Sequence, residues 1–118
     1  MKVYLGGAKG TWREKIKDNF PNWNIYDPFI DSRQQAITEY TLDDLDAIRN
    51  CDLVLFYINY EKCYGICVEG GFAYALEIPI ISVFDFKGKL PELLLGISEY
   101  VFTDLNSAID FMKVKFNF

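Results

Sequence analysis

The most chemically pointed stretch of the chain is Gly65-Ile66-Cys67-Val68-Glu69-Gly70-Gly71-Phe72-Ala73, in which one carboxylate stands among small and apolar residues. Charged side chains are rarely buried without partners, so Glu69 in this company calls for a reason. The stretch reads as the start of a helix, where the helix dipole and free N–H groups favour the ionised carboxylate. An ionised, oriented carboxylate is what a nucleophile at a sugar carbon requires, as distinct from a protonated acid. The plainer alternative is a surface glutamate of an ordinary helix.

Two further groups are candidates. Asp44 stands four residues before Ile48 and eight before Asp52, a spacing that puts the three on one helix face for as long as the helix lasts. Asp43, Asp44 and Asp46 also read as solvated helix charges, and Asp52 as the cap of a turn. The turn Gly6-Gly7-Ala8-Lys9-Gly10-Thr11 offers backbone N–H groups to an anion or close approach to a ligand. It has neither the G-x-G-x-x-G spacing of a dinucleotide fingerprint nor the G-K-[ST] ending of a P-loop, so ATP or NAD binding of those kinds is disfavoured. Lys9 and Arg13 beside it read as surface charges more readily than as phosphate clamps. Asp27 is open to two readings, a ligand contact after a strand or a simple Asp27-Pro28 turn.

What is missing narrows the chemistry as much. The chain has no histidine, which removes Ser-His-Asp and Cys-His catalysis. The three cysteines, Cys51, Cys63 and Cys67, form neither a disulfide framework nor a zinc-ligand pattern and read as free thiols of a reducing compartment. Carboxylates, tyrosines, lysines and thiols are left to do the work, and no metal or cofactor is expected.

These residues need a scaffold that aims them, and the pattern supplies one. Lys2 to Gly6 is a short β-rich run. Thr11 with Glu14 is a capping-box pair, predicting a helix from Trp12 to Phe20 that stops before Pro21. Trp23 to Asp27 reads as a second strand, and 28–38 as a polar loop near the site. A helix from Glu39 or Thr41 carries Leu42, Leu45 and Ile48. Leu53 to Ile58 is a continuous apolar run, as a strand buried on both faces requires. A helix from Gly65 to Glu77, a strand at Ile80 to Phe84, a helical turn after Pro91, a strand at Tyr100 to Phe102 and a last helix capped by Thr103 or Asp104 follow. The alternation predicts a single α/β domain over 1–118: a five-stranded parallel, doubly wound sheet of Rossmann or flavodoxin type with helices on both faces. In such sheets the ligand lies beyond the carboxyl ends of the strands, which nominates Gly6 to Thr11, Asp27 to Phe29, Asn59 to Glu69 and Asp85 to Lys89.

The bulk properties restrict partners. A chain of 118 residues suits one domain, and a formal net charge of −5 disfavours a nucleic acid polymer or an anionic membrane. No stretch approaches the roughly 20 apolar residues of a membrane span and no signal peptide opens the chain, so a cytoplasmic location is expected.

Lys2-Val3-Tyr4-Leu5-Gly6-Gly7, then Asp44-Leu45-Asp46-Ala47-Ile48 running on to Asp52-Leu53-Val54, then Gly65-x3-Glu69-x-Gly71-x-Ala73 with Pro79-Ile80-Ile81, occur in an order and spacing that resembles the nucleoside 2-deoxyribosyltransferase family. The Trp12-Arg13 pair is similar to a short subgroup of it, and the likeness covers residues 2–84. The resemblance implies that Glu69 attacks C1′ of a 2′-deoxyribonucleoside, that Asp44 holds or protonates the base, and that Tyr4 orients the glutamate. Substrate contacts then fall to Gly6, Gly7, Lys9, Trp12, Asp27, Phe29, Cys63 and Gly65. Cys63 stands where many members carry an aspartate or serine that grips the sugar hydroxyl, and Glu92 is the nearest counterpart of an asparagine that members supply from a neighbouring subunit. The expected partners are a nucleoside or nucleotide, a free nucleobase and further copies of the chain, with the aromatic tail Phe111, Phe116 and Phe118 sealing an interface or packing on its own sheet. Two alternatives remain: a hydrolase of deoxynucleoside 5′-monophosphates, and a nucleotide-binding module without turnover.

Overall fold

The computed structural model describes residues 1–116, and within them strands and helices alternate along the chain. The order is β1 (Lys2–Gly7), α1 (Trp12–Asn19), β2 (Asn24–Tyr26), α2 (Pro28–Asp31), α3 (Ile37–Arg49), β3 (Leu53–Ile58), α4 (Tyr64–Ala75), β4 (Ile80–Phe84), α5 (Glu92–Ile97), β5 (Tyr100–Phe102) and α6 (Leu105–Lys115). All four strand pairings are parallel and the sheet runs β2-β1-β3-β4-β5. This is the doubly wound order of flavodoxin-like sheets, with its switch point between β1 and β3.

Strand alternation divides the core. Val3, Leu5, Leu53, Leu55, Ile81 and Val83 face α1 and α6, where Ile16, Ala108, Ile109 and Met112 cover them. Tyr4, Val54, Phe56, Ile58, Ile80 and Phe84 face the other way, under Ile48 of α3, Ile66 and Ala73 of α4 and Leu94 of α5. Because both faces of β1, β3 and β4 are covered, these strands carry almost no polar side chain. Tyr4 is the exception that matters, since it brings a hydroxyl into the second layer.

Several local expectations differ. Thr11 sits in the right-handed helical region and makes no side-chain cap, so the Thr11–Glu14 capping box does not form. The segment after β2 is not wholly a loop: Asp27 caps α2 by accepting from the Phe29 N–H at 3.2 Å, and α3 begins at Ile37. Asp52 lies beyond the end of α3 and accepts from the Lys2 N–H at 2.8 Å, which ends the shared face at Ile48. Of the two possible caps of the last helix it is Asp104 that accepts, from the Ser107 N–H at 2.8 Å. Phe111 packs on Tyr100 and Phe102, and Phe116 stands edge-on to Trp23, so both cover their own sheet. Phe118 lies outside the described residues.

Candidate active site

At the switch point the chain turns away from β1 in one direction and from β3 in the other, which leaves a crevice at the carboxyl edge of the sheet. It holds a cavity of about 480 Å³, within the range of small-molecule sites. β1 contributes Tyr4, Gly6 and Gly7, the segment after β2 contributes Phe29 and Gln34, α3 contributes Asp44, and the β3–α4 connection with α4 contributes Cys63, Gly65 and Glu69.

Glu69 is in the second turn of α4, not the first, so the unpaired N–H groups at the helix start are out of its reach. Burial therefore dominates: it pushes the Glu69 carboxyl up to about 7, against the lowering effect of the Tyr4 hydrogen bond, with Asp44 adding to the rise and Arg13 opposing it. The expectation of a dipole-held carboxylate is corrected here. The fully buried Tyr4 hydroxyl donates to Glu69 Oε2. Its own ionisation is driven far above the usual tyrosine range, by burial first and the Glu69 charge next, so it remains a donor at any working pH.

Glycine admits this contact. A Cβ on Gly6 would stand 2.5 Å from the Phe56 ring and 3.3 Å from Glu69 Oε1. Gly7 adopts φ +140°, and a Cβ there would meet the Tyr57 carbonyl oxygen at 2.2 Å. Gly65 has no such neighbour and simply borders the cavity.

Asp44 is half-buried, and burial first raises its carboxyl above the usual range, while a hydrogen bond from Ser32 lowers it. That bond is 2.5 Å from Ser32 Oγ to Asp44 Oδ1, and Ser32 Oγ also lies 2.6 Å from Tyr26 Oη. Tyr26 in turn stacks on Tyr4 at 5.9 Å between ring centroids. Neither Ser32 nor Tyr26 stands out in the sequence, because a lone serine in a polar stretch has no signature.

The remaining predicted residues divide. Phe29 and Cys63 border the cavity. The Cys63 thiol is pushed up to about 11 by burial and then by Cys67, whose sulfur is 4.0 Å away, so it stays a neutral weak donor. Lys9 is exposed and lies over the Phe29 ring, outside the lining. Trp12 is on the opposite layer, stacked on Tyr57 and donating from Nε1 to the Ala8 carbonyl at 2.7 Å. Glu92 is exposed on α5 and does not border the cavity.

Asp27 and Arg13 are buried together, and Arg13 is not a surface charge. Its guanidinium donates to Asp27 Oδ1 at 2.9 Å and to the carbonyls of Leu5 at 3.1 Å and Gly7 at 2.7 Å. Lys17 completes the set with Asp27 Oδ2 at 3.0 Å. Arg13 therefore holds the glycine turn from beneath, and its partner 14 residues away was hidden to a local reading of the sequence.

No family model and no curated protein matches the chain. Solved structures do. A 2-deoxyribosyltransferase from Bacillus psychrosaccharolyticus superposes with a TM-score of 0.78 at 16% identity, over 93% of this chain and 91% of that one. A CMP N-glycosidase from Clostridium botulinum gives 0.71 at 19% identity, over 96% and 99%. A 2-deoxyribosyltransferase from Leishmania mexicana gives 0.75 at 13% identity, over 94% and 95%. The chain has the nucleoside 2-deoxyribosyltransferase-like fold.

Proposed function

We propose that the protein breaks the N-glycosidic bond of a 2′-deoxyribonucleoside and transfers the sugar to a second base, with Glu69 as nucleophile. The observation that carries this is the pairing of two carboxyls in one cavity, Glu69 held by the buried Tyr4 hydroxyl and Asp44 held by Ser32. The fold likeness to two deoxyribosyltransferases and an N-glycosidase supports the same chemistry.

In the first step the Glu69 carboxylate forms a bond to C1′ as the bond from C1′ to the base nitrogen breaks. The base takes the electron pair and receives a proton from Asp44. In the second step a nitrogen of the incoming base attacks C1′, the ester electrons return to Glu69, and the displaced proton goes to Asp44. Two displacements of this kind retain configuration and replace one difficult step with two easier ones. The productive form has Glu69 ionised and Asp44 protonated. Burial of Asp44 favours its protonated state; at Glu69 burial outweighs the Tyr4 hydrogen bond and lifts the carboxyl to about 7, so the productive form gains population as pH rises through that value.

Hydrolysis of a deoxynucleoside 5′-monophosphate shares the first step and differs in that water takes the sugar. The Arg13 donors are spent on carbonyls and Asp27, so that guanidinium is not offered to a phosphate, and Lys62 is the cation at the cavity border that a 5′-phosphate would meet. Incubation with a deoxynucleoside plus a free acceptor base, and separately with a deoxynucleotide in water, tests the choice. Exchange of bases in the first mixture is expected. Base release confined to the second would establish hydrolysis instead, and release in neither would remove the enzymatic account.

A further inference from the structure

Ser32 is 5% exposed and sits at the end of α2, where its backbone N–H donates to the Pro28 carbonyl at 3.3 Å and its own carbonyl accepts from Gln34 Nε2. Its single hydroxyl proton goes to Asp44 Oδ1, so the 2.6 Å contact with Tyr26 must be a bond donated by the tyrosine. The result is a directed chain from Tyr26 through Ser32 to Asp44. Its first member is stacked at 13° on Tyr4, which donates to Glu69. The two carboxyls are thus fixed by hydroxyls whose tyrosine rings lie against each other on adjacent strands.

We propose that Ser32 is a positioning residue: by holding Oδ1 of Asp44 it turns the other carboxyl oxygen toward the leaving base and sets the proton affinity of that carboxyl. This rests on the glycosidic reading above. Oδ1 is occupied by a donor, so a proton carried by Asp44 belongs on Oδ2, the oxygen left for the base. Donation to the charged form also lowers the proton affinity, which lets Asp44 give its proton up and take it back within one cycle. The other groups that act on Asp44 are Asp43 beside it on α3, which Arg33 neutralises, Arg13 from α1, Tyr26 from β2, Tyr4 from β1 and Glu69 from α4. None of these donates to Oδ1, so Ser32 is the adjustable member.

The test is a carbon-13 NMR titration of the Asp44 carboxyl in the wild-type protein and in Ser32→Ala, Tyr26→Phe and Ser32→Thr, run beside pH profiles of kcat. Hydrogen bonds to charged groups imply an upward move of about one pH unit in Ser32→Ala, with a smaller move in Tyr26→Phe and wild-type behaviour in Ser32→Thr. The alkaline limb of kcat should move up with it, and kcat should drop about tenfold while KM changes little. An Asp44 titration unchanged or lowered in Ser32→Ala would overturn the assignment. If the titration moves as expected but no variant, wild type included, cleaves a glycosidic bond, the hold of Ser32 on Asp44 stands and the glycosidic reading fails.

Discussion

Glu69 carries a proton affinity far above that of a free glutamate, and this has opposite consequences for activity and for stability. Activity needs the carboxylate, so the acid limb of the free enzyme's profile should fall near 7, where burial has moved the group. Stability runs the other way. The folded state binds the proton more tightly than the unfolded chain, whose value is 4.5, so the contribution of Glu69 to stability declines as pH rises from 4.5 through about 7. Replacing Glu69 by Gln keeps an acceptor for Tyr4 and removes the buried charge. Glu69→Gln should therefore abolish turnover while raising stability above pH 7 by about 1–3 kcal/mol, with no gain below pH 4.5. Urea denaturation of both proteins at pH 4 and pH 8 checks this, and equal differences at the two pH values would contradict it. Glu69 was legible in the sequence because a carboxylate among glycine and alanine is conspicuous. Its raised proton affinity was not, because burial depends on α3 and β1, which are distant in the chain.

At the scale of elements, the glycine turn after β1 is held by α1 from below and by backbone constraint from within. Arg13→Lys keeps the charge but loses the planar fork that reaches Asp27 and two carbonyls at once. Breaking a buried pair of this kind costs about 3–5 kcal/mol, and a lysine that still reaches Asp27 should lose about half of it. Gly7→Ala should cost at least about 2 kcal/mol, since it adds a clash with the Tyr57 carbonyl to a backbone conformation that L-residues avoid. Thermal unfolding checks both, and a wild-type midpoint in either would contradict the role given to the turn. The strands were plain from runs such as Leu53 to Ile58, whose composition suits burial on both faces. The short helix α2 was not, because Asp27-Pro28 starts a turn and a helix equally well until the Phe29 N–H is seen to bond to Asp27. The Thr11–Glu14 signal pointed to the right place for a helix start, but Thr11 is itself helical and cannot cap.

At the scale of the molecule, the sheet brings residues from four separate segments to one edge, and the parallel order follows from strand–helix alternation alone. The layer of α3, α4 and α5, whose first two helices line the cavity, also exposes Ile37 at 70%, Leu42 at 64%, Tyr64 at 74% and Leu93 at 87%. Large apolar side chains left this exposed are available to a second copy of the chain, and we expect self-association through them. Sedimentation equilibrium should give a mass above the 13.7 kDa of one chain, reduced in Leu93→Lys; a single-chain mass for the wild type at working concentration would contradict it. Whatever the assembly, the proposed chemistry turns on one bond, between a glutamate oxygen and an anomeric carbon. Incubation with a 2′-fluoro-arabino nucleoside, which slows the second displacement, followed by peptide mass spectrometry, reads that bond directly. The predicted result is a fluorosugar adduct on the peptide holding Glu69, absent in Glu69→Gln. A label on any other residue, or base release from the analogue without a label, would contradict the mechanism.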